Sequence, residues 1–135
     1  MGYPITDIRG IGADIAVLLK SGGIRTTVSL LRSAKTPMQR IKIAEKTGTD
    51  EKRVLDWVTA ADRMRVKGVG WEYAELLRAA GVKTANELKY RNPQKLVEKM
   101  KEANDRRKLV RLLPSESTVR RWIESAKKLP TAIRY

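Results

Sequence analysis

The sequence predicts an all-α fold of about eight helices, arranged in two related halves that pack as one pseudo-two-fold domain. Three observations lead to this prediction. A segment near the N-terminus recurs 58 residues later, apolar residues recur at helical spacing, and no segment shows the alternation of a half-buried strand. Because neither half is large enough to bury its apolar faces alone, we expect the halves to pack against each other.

The repeat is clearest at two Gly-x-Gly segments. Residues 8–12 read Ile-Arg-Gly-Ile-Gly, and residues 66–70 read Val-Lys-Gly-Val-Gly. Further apolar and small residues match at the same shift, and a shift of 65 aligns Trp57 with Trp122. So many coincidences in short windows indicate a duplication. The first repeat covers residues 1–64, the second covers 62–129, and residues 130–135 form a tail.

Each helix has a recognisable start or end. Polar N-cap residues, prolines at the first helical position and closing glycines predict helices over 12–22, 26–31, 37–47 and 50–65 in the first repeat. The same signals predict helices over 70–80, 84–89, 93–107 and 115–128 in the second. The second repeat has a longer middle section near residues 104–113, and this insertion is basic.

The composition excludes several kinds of site. The chain has neither cysteine nor histidine, which excludes Ser-His-Asp and Cys-His nucleophiles, redox thiols and zinc sites built on those residues. Its carboxylates are scattered along the sequence. We therefore expect a protein that is not an enzyme, with no catalytic residue, no metal and no cofactor. Aromatic residues make up only 5%, which disfavours a stacking surface for single strands.

Neither a targeting segment nor a membrane segment is evident in the sequence. Residues 1–9 have no basic stretch followed by an apolar run, and the longest apolar stretch, residues 11–19, is interrupted by Asp14. We expect no membrane partner. The expected location is the cytoplasm, or the nucleoid if the source is bacterial.

The net charge of +14 comes from 29 basic and 15 acidic side chains. Such a charge attracts nucleic acid, attracts an anionic membrane surface, or keeps a protein soluble, and charge alone does not separate these explanations. The distribution is uneven, because residues 59–135 carry 19 basic and 9 acidic side chains while residues 1–58 carry 10 and 6. The excess therefore lies in the second half.

Both Gly-x-Gly segments open an amphipathic helix with the pattern apolar-x-Gly-apolar-Gly-x-x-x-Ala. This pattern resembles the helix-hairpin-helix motif. Small residues allow a tight turn and leave backbone N–H groups pointing outward at a helix N-terminus, where they can hold a phosphate oxygen. The residue between the glycines, Ile11 or Val69, is expected to anchor the turn in the core. The resemblance implies binding of a nucleic-acid duplex through its phosphates, without sequence preference.

The whole arrangement also resembles a bacterial domain family of unknown function built on paired helix-hairpin-helix motifs. This resemblance implies tandem helix-hairpin-helix repeats packed as one helical domain. It says little about function, because the family has no assigned function. The matching segments cover nearly the entire chain and lie at residues 8–12, 44–48, 57–62, 67–70, 73–74, 80–82, 91–93, 108–110 and 113–114.

Duplex DNA is therefore the expected partner, and the second hairpin is the better candidate site because three basic residues precede it. The expected contacts are the hairpin glycines, the basic residues beside them and the basic insertion. These residues are Arg9, Gly10, Gly12, Arg63, Arg65, Lys67, Gly68, Gly70, Arg106, Arg107, Lys108 and Arg111.

Alternative interpretations of the same segments remain open. A Gly-x-Gly turn can be a tight connector only, and the helical surface can serve as a protein-interaction scaffold. Residues 43–54 also have the spacing of a helix-turn-helix, but Asp50, Glu51 and Asp56 on the would-be recognition helix disfavour contact with phosphates. The basic residues of the insertion are interleaved with acidic ones, so they form either a phosphate-contacting ridge or an ordinary solvated helix.

The three tryptophans lead to different expectations. Trp57 and Trp122 occupy matching positions within apolar stripes, so we expect both in the core. Trp71 directly follows the second hairpin, where it either packs on neighbouring residues or stacks on a sugar or base. Packing is the favoured expectation for Trp71.

Overall fold

The computed structural model describes residues 2–135, and over this part of the chain it is all-helical. A short 3-10 helix, Ile5–Asp7, precedes eight α-helices. They are α1 (Ala13–Ser21), α2 (Thr27–Ser33), α3 (Pro37–Thr47), α4 (Glu51–Arg63), α5 (Trp71–Ala79), α6 (Ala85–Leu88), α7 (Pro93–Arg107) and α8 (Glu116–Lys127). The predicted all-α class and the eight predicted helices are confirmed, with ends that differ by two residues at most.

Local capping explains where most of these helices begin. The side chains of Thr26, Thr36, Thr84, Asn92 and Ser115 each accept a hydrogen bond from a first-turn backbone N–H. The carboxylate of Asp50 does the same for α4, at 2.8 Å from the nitrogen of Arg53. In contrast, the N-cap residues of α1 and α5 are Gly12 and Gly70, which have no side chain to accept such a bond. The two hairpin helices therefore begin without a side-chain cap.

The chain forms two compact units. The first contains the residues up to Asp62 together with Ala132–Tyr135, and the second contains Arg63–Thr131. Residues 132–135, which the sequence assigns to a tail, thus belong to the first unit, where Ile133 is buried.

A buried arginine ties these C-terminal residues into the first unit. Arg40 is only 1% exposed, and its Nη2 donates to the carbonyl of Arg134 at 2.7 Å. Its Nη1 donates to the carbonyls of Ala34 and Lys35, and its Nε pairs with Glu51 at 3.0 Å. The backbone N–H of Arg134 donates to the carbonyl of Lys35 at 2.9 Å. Arg40 thus acts as an internal hydrogen-bond donor.

The core of each unit includes one of the matching tryptophans. Trp57 packs in the first unit and Trp122 in the second, with 2% and 3% of their surfaces exposed, which confirms the expectation that both are core residues. Ile11 and Val69, the residues between the hairpin glycines, are also buried, as expected. Within the described chain, every helix is too short or too polar to cross a bilayer.

Candidate functional site

The two hairpins, residues 8–12 and 66–70, have the same backbone geometry. Ile11 N–H donates to the carbonyl of Ile8 at 3.1 Å, and Val69 N–H donates to the carbonyl of Val66 at 3.0 Å. Gly10 and Gly68 both have a positive φ, +95° and +90°, which favours glycine. The duplication seen in the sequence is thus repeated in the conformation of both turns.

The helix that follows each hairpin begins with backbone N–H groups that no side chain of its N-cap residue accepts. The N-cap glycines lack a side chain to occupy those donors. A Cβ added to Gly12 would meet no other atom within 4 Å, so the approach to the start of α1 is unobstructed. Backbone donors at the positive end of a helix dipole suit an anionic oxygen.

Most of the predicted basic residues are exposed. Arg65 is half-buried, and the exposed members of the set are Arg9, Lys67, Arg106, Arg107, Lys108 and Arg111. Arg9 and Arg65 already interact with other groups of the protein.

Arg63 requires a correction. It is only 2% exposed, and its guanidinium lies inside the second unit. Its Nε donates to the carbonyl of Ala74 at 2.8 Å, and its Nη1 donates to the carbonyl of Lys83 at 2.9 Å. A side chain held in this way supports the α5 region from within, and it is not placed to meet a phosphate in solution.

The structure brings one residue of the basic insertion to the second hairpin. Arg111 lines a groove together with Gly68 and Gly70, and we call it the loop groove. The side chain of Asn104 holds the loop by hydrogen bonds to the N–H and carbonyl of Val110, at 2.9 and 3.1 Å. The hydroxyl of Tyr73, on α5, donates to the carbonyl of Leu112 at 3.0 Å. These bonds fix Arg111 beside the hairpin.

The other residues of the insertion are placed differently. Arg106 lines a separate depression beside Glu102 and Asp105. Arg107 and Lys108 are exposed but line neither groove at the second hairpin. The structure therefore divides the predicted basic ridge and places only Arg111 next to the glycines.

A second groove lies on the other side of the same hairpin, and we call it the α8 groove. It is lined by Lys67, Gly68, Tyr73, Trp122 and residues of α8 that include Arg121 and the following Lys128. The rings of Tyr73 and Trp122 contact each other in a tilted arrangement, with centroids 5.2 Å apart. Gly68 and Tyr73 line both grooves, so the second hairpin lies between them.

Arg121 and Lys128 are missing from the predicted site residues. The sequence does contain a signal for Arg121. This residue directly precedes Trp122, which aligns with Trp57 of the first repeat. In the first repeat the residue at the position of Arg121 is Asp56. The second repeat therefore carries a basic side chain on α8 at a position where the first repeat carries a carboxylate.

The cations around the second hairpin differ in how they are paired. On α8, Arg120 pairs with Glu116 at 3.3 Å and Lys127 pairs with Glu124 at 3.0 Å. Within residues 2–135, no carboxylate lies within ion-pair distance of Lys67, Arg111, Arg121 or Lys128. Four cations without a carboxylate partner thus flank the hairpin, one in the loop groove and three in the α8 groove, while Glu72 lines the loop groove and Glu124 the α8 groove.

Two exposed apolar residues lie beside Arg111. Trp71 is 48% exposed and Leu112 is 75% exposed, and both line the loop groove. Trp71 thus keeps about half of its surface exposed in the loop groove, so packing on neighbouring residues covers it only in part.

Comparison with known proteins identifies the family of the chain. The model of a family described as a domain of unknown function, DUF4332, matches residues 9–129, so the chain belongs to this family. Neither the curated proteins nor the solved structures contain a significant match.

Proposed function

We propose that this member of the DUF4332 family is a non-catalytic protein that binds duplex DNA, largely without sequence preference, through two helix-hairpin-helix motifs. The observation that carries the proposal is the second hairpin, which has no side-chain cap at the start of α5 and whose Gly68 lies between two grooves lined by four cations without carboxylate partners. The proposal also implies a location where DNA is present, the cytoplasm or nucleoid.

The site favours the phosphates of a nucleic-acid strand over an isolated anion that a single cation could bind. Backbone N–H groups offer several donors at one point, and the surrounding cations can neutralise further phosphates along a strand. Lys67 lines the α8 groove and Arg111 lines the loop groove, so the cations lie on both sides of the donors. Such contacts read the backbone and carry no base information. Lack of sequence preference follows from this arrangement.

The first expected result concerns affinity for a random-sequence duplex. We expect a micromolar dissociation constant at about 50 mM salt, because phosphate contacts dominate non-specific binding. If four cations each neutralise one phosphate, log K falls with log salt with a slope of about −3.6, or about a hundredfold between 50 and 200 mM. Fluorescence anisotropy of a labelled 20-base-pair duplex, at several salt concentrations, measures both quantities. Absence of binding at about 50 mM salt would contradict the proposal.

The second expected result concerns which hairpin contributes more. Lys67→Glu should weaken duplex binding and reduce the salt slope by about one unit, the loss of one phosphate contact. Arg9→Glu is the matched variant in the first hairpin and should have a smaller effect, because Asp56 occupies there the position that Arg121 has in the second repeat. Circular dichroism first establishes that both variants are folded. A larger loss for Arg9→Glu, or no loss for either variant, would move the contact surface away from the second hairpin.

A protein-interaction role is the second candidate function, and one observation favours it. Helices α1 and α3 contact each other in the first unit, and each leaves two apolar side chains exposed. These are Val17 and Leu18 on α1, and Met38 and Ile41 on α3. A partner bound through such residues would remain bound as salt is raised, whereas DNA would dissociate.

A further inference from the structure

Trp57 and Trp122 direct the same atom toward the two hairpins. A Cβ placed on Gly10 would lie 3.4 Å from Nε1 of Trp57, and one placed on Gly68 would lie 3.3 Å from Nε1 of Trp122. Both tryptophans are more than nine-tenths buried. In each unit the polar edge of a core indole thus lies directly against the hairpin glycine.

Neither indole N–H has an acceptor within the part of the chain that the structure describes. Trp57 and Trp122 donate none of the side-chain hydrogen bonds found there, and their only further polar or ring interaction is the contact of Trp122 with Tyr73. Among the same residues, every fully buried side-chain nitrogen or oxygen has a partner. The two Nε1 atoms therefore reach solvent, although the rest of each ring is buried. Each N–H is therefore accessible to an acceptor that approaches the hairpin from solvent.

We infer that the indole N–H of Trp122, and that of Trp57 in the first unit, donates a hydrogen bond to a phosphate oxygen held at the adjacent hairpin. This inference rests on the proposed function, and it adds a side-chain donor to the backbone donors. Indole nitrogen donates only, so its partner must be an acceptor. Lys67, Arg121 and Lys128 line the same groove as Trp122, and they favour an anionic acceptor over a neutral one.

The alternative to a donor role is a purely structural role, in which each tryptophan ring only fills the space beneath its hairpin. That explanation accounts for the burial, and the duplication accounts for the same ring position in both units. The two explanations differ in one respect. Only the donor role makes the state of the N–H depend on bound DNA.

Proton–nitrogen NMR of the unmodified protein tests the donor role directly. The three indole signals are assigned with the single variants Trp57→Phe, Trp71→Phe and Trp122→Phe. Titration with a 20-base-pair random duplex at about 50 mM salt should shift the Trp122 and Trp57 N–H signals downfield. The shifts should saturate with the dissociation constant that anisotropy gives, and exchange of both protons with water should slow.

Replacement of one atom provides a second test. Benzothienylalanine at position 122 keeps the shape of the ring and replaces the N–H by sulfur. We expect binding of the duplex to weaken about tenfold, the lower range for a hydrogen bond to a charged group. The salt slope should not change, because a neutral donor releases no counterion. Thermal unfolding of the replaced protein, followed by circular dichroism, is the control and should match that of the unmodified protein, because the indole N–H has no hydrogen-bond partner within the described chain.

The outcomes separate this inference from the proposed function. If the unmodified protein binds the duplex but the Trp57 and Trp122 signals do not move, or the position-122 replacement binds equally well, the inference is wrong and DNA binding stands. A reduced salt slope in that replacement also contradicts the inference, because it would show that the cations had been displaced. If the unmodified protein fails to bind the duplex at about 50 mM salt, the inference and the proposed function both fall.

Discussion

Arg63→Met is expected to lower the free energy of unfolding by about 3 kcal/mol, because it removes a buried charged donor from two carbonyl groups. The carbonyl of Lys83 loses the bond at 2.9 Å, and that of Ala74 loses the bond at 2.8 Å. Methionine fills part of the space but donates nothing. Urea unfolding, followed by hydrogen exchange of second-unit amides, measures the loss.

Lys67→Met is the matched control for this variant. Lys67 is exposed, so its replacement should change the unfolding free energy by less than about 0.5 kcal/mol while weakening DNA binding. Arg63→Met should instead lower the unfolding free energy. At a temperature where this variant is folded, the salt slope of its DNA binding should be unchanged. A stable Arg63→Met variant that has lost about one unit of salt slope would restore Arg63 to the contact surface.

Gly68→Val is expected to have the next largest effect, on both stability and binding. Its φ of +90° is unfavourable for a branched side chain, and a Cβ would lie 3.3 Å from the indole nitrogen of Trp122. Strain and displacement of the ring together should cost about 2 kcal/mol or more. Because the turn also carries the proposed phosphate donors, binding of random duplex should fall at least tenfold, about 1.4 kcal/mol.

Two further glycine variants are controls for Gly68→Val: one lies at the matching position of the first hairpin, and the other at a glycine where a side chain causes no strain. Gly10→Val meets the same φ problem and a 3.4 Å contact with Trp57, so it should destabilise the first unit similarly but reduce binding less. Gly12→Ala has ordinary φ and open space, so thermal unfolding should show a loss below about 1 kcal/mol. Full DNA affinity in a folded Gly68→Val variant would show that the second hairpin is only a connector.

The helices could be predicted closely from the sequence because their ends are set by local chemistry. Thr36 and Pro37 at the start of α3, and Gly48 at its end, act on neighbouring backbone groups alone. The burial of Trp57 and Trp122 also follows from local periodicity. These features depend little on how distant segments meet.

Arg40 and Arg63 show that a basic residue cannot be assigned to the surface from its charge alone, because both side chains are buried. Arginine is seldom buried without partners, and the partners here are carbonyls that only the folded chain brings near. The repeat nevertheless contained a signal. At the shift of 58, Arg63 aligns with Ile5, and in the alignment of Pro37 with Pro93, Arg40 aligns with Leu96. Ile5 and Leu96 are both buried, so each arginine occupies a position that is apolar and internal in the other repeat.

The loop groove and the α8 groove depend on contacts that periodicity cannot reveal. Arg111 reaches the hairpin because Asn104 and Tyr73 hold its loop by bonds to backbone atoms of Val110 and Leu112. Arg121 joins the same site because α8 supplies the ring of Trp122 to that hairpin. Both placements follow from tertiary packing, in which residues distant in sequence meet.

The first unit is discontinuous in sequence, since Arg63–Thr131 interrupt it before Ala132–Tyr135 complete it. During synthesis on the ribosome, the carbonyl of Arg134 becomes available to the guanidinium of Arg40 only after the whole second unit has been translated. The guanidinium of Arg40 therefore lacks this acceptor until the chain has grown 94 residues beyond it. The first unit therefore cannot acquire all of its native contacts until the second unit has been translated, although most of its residues are translated earlier.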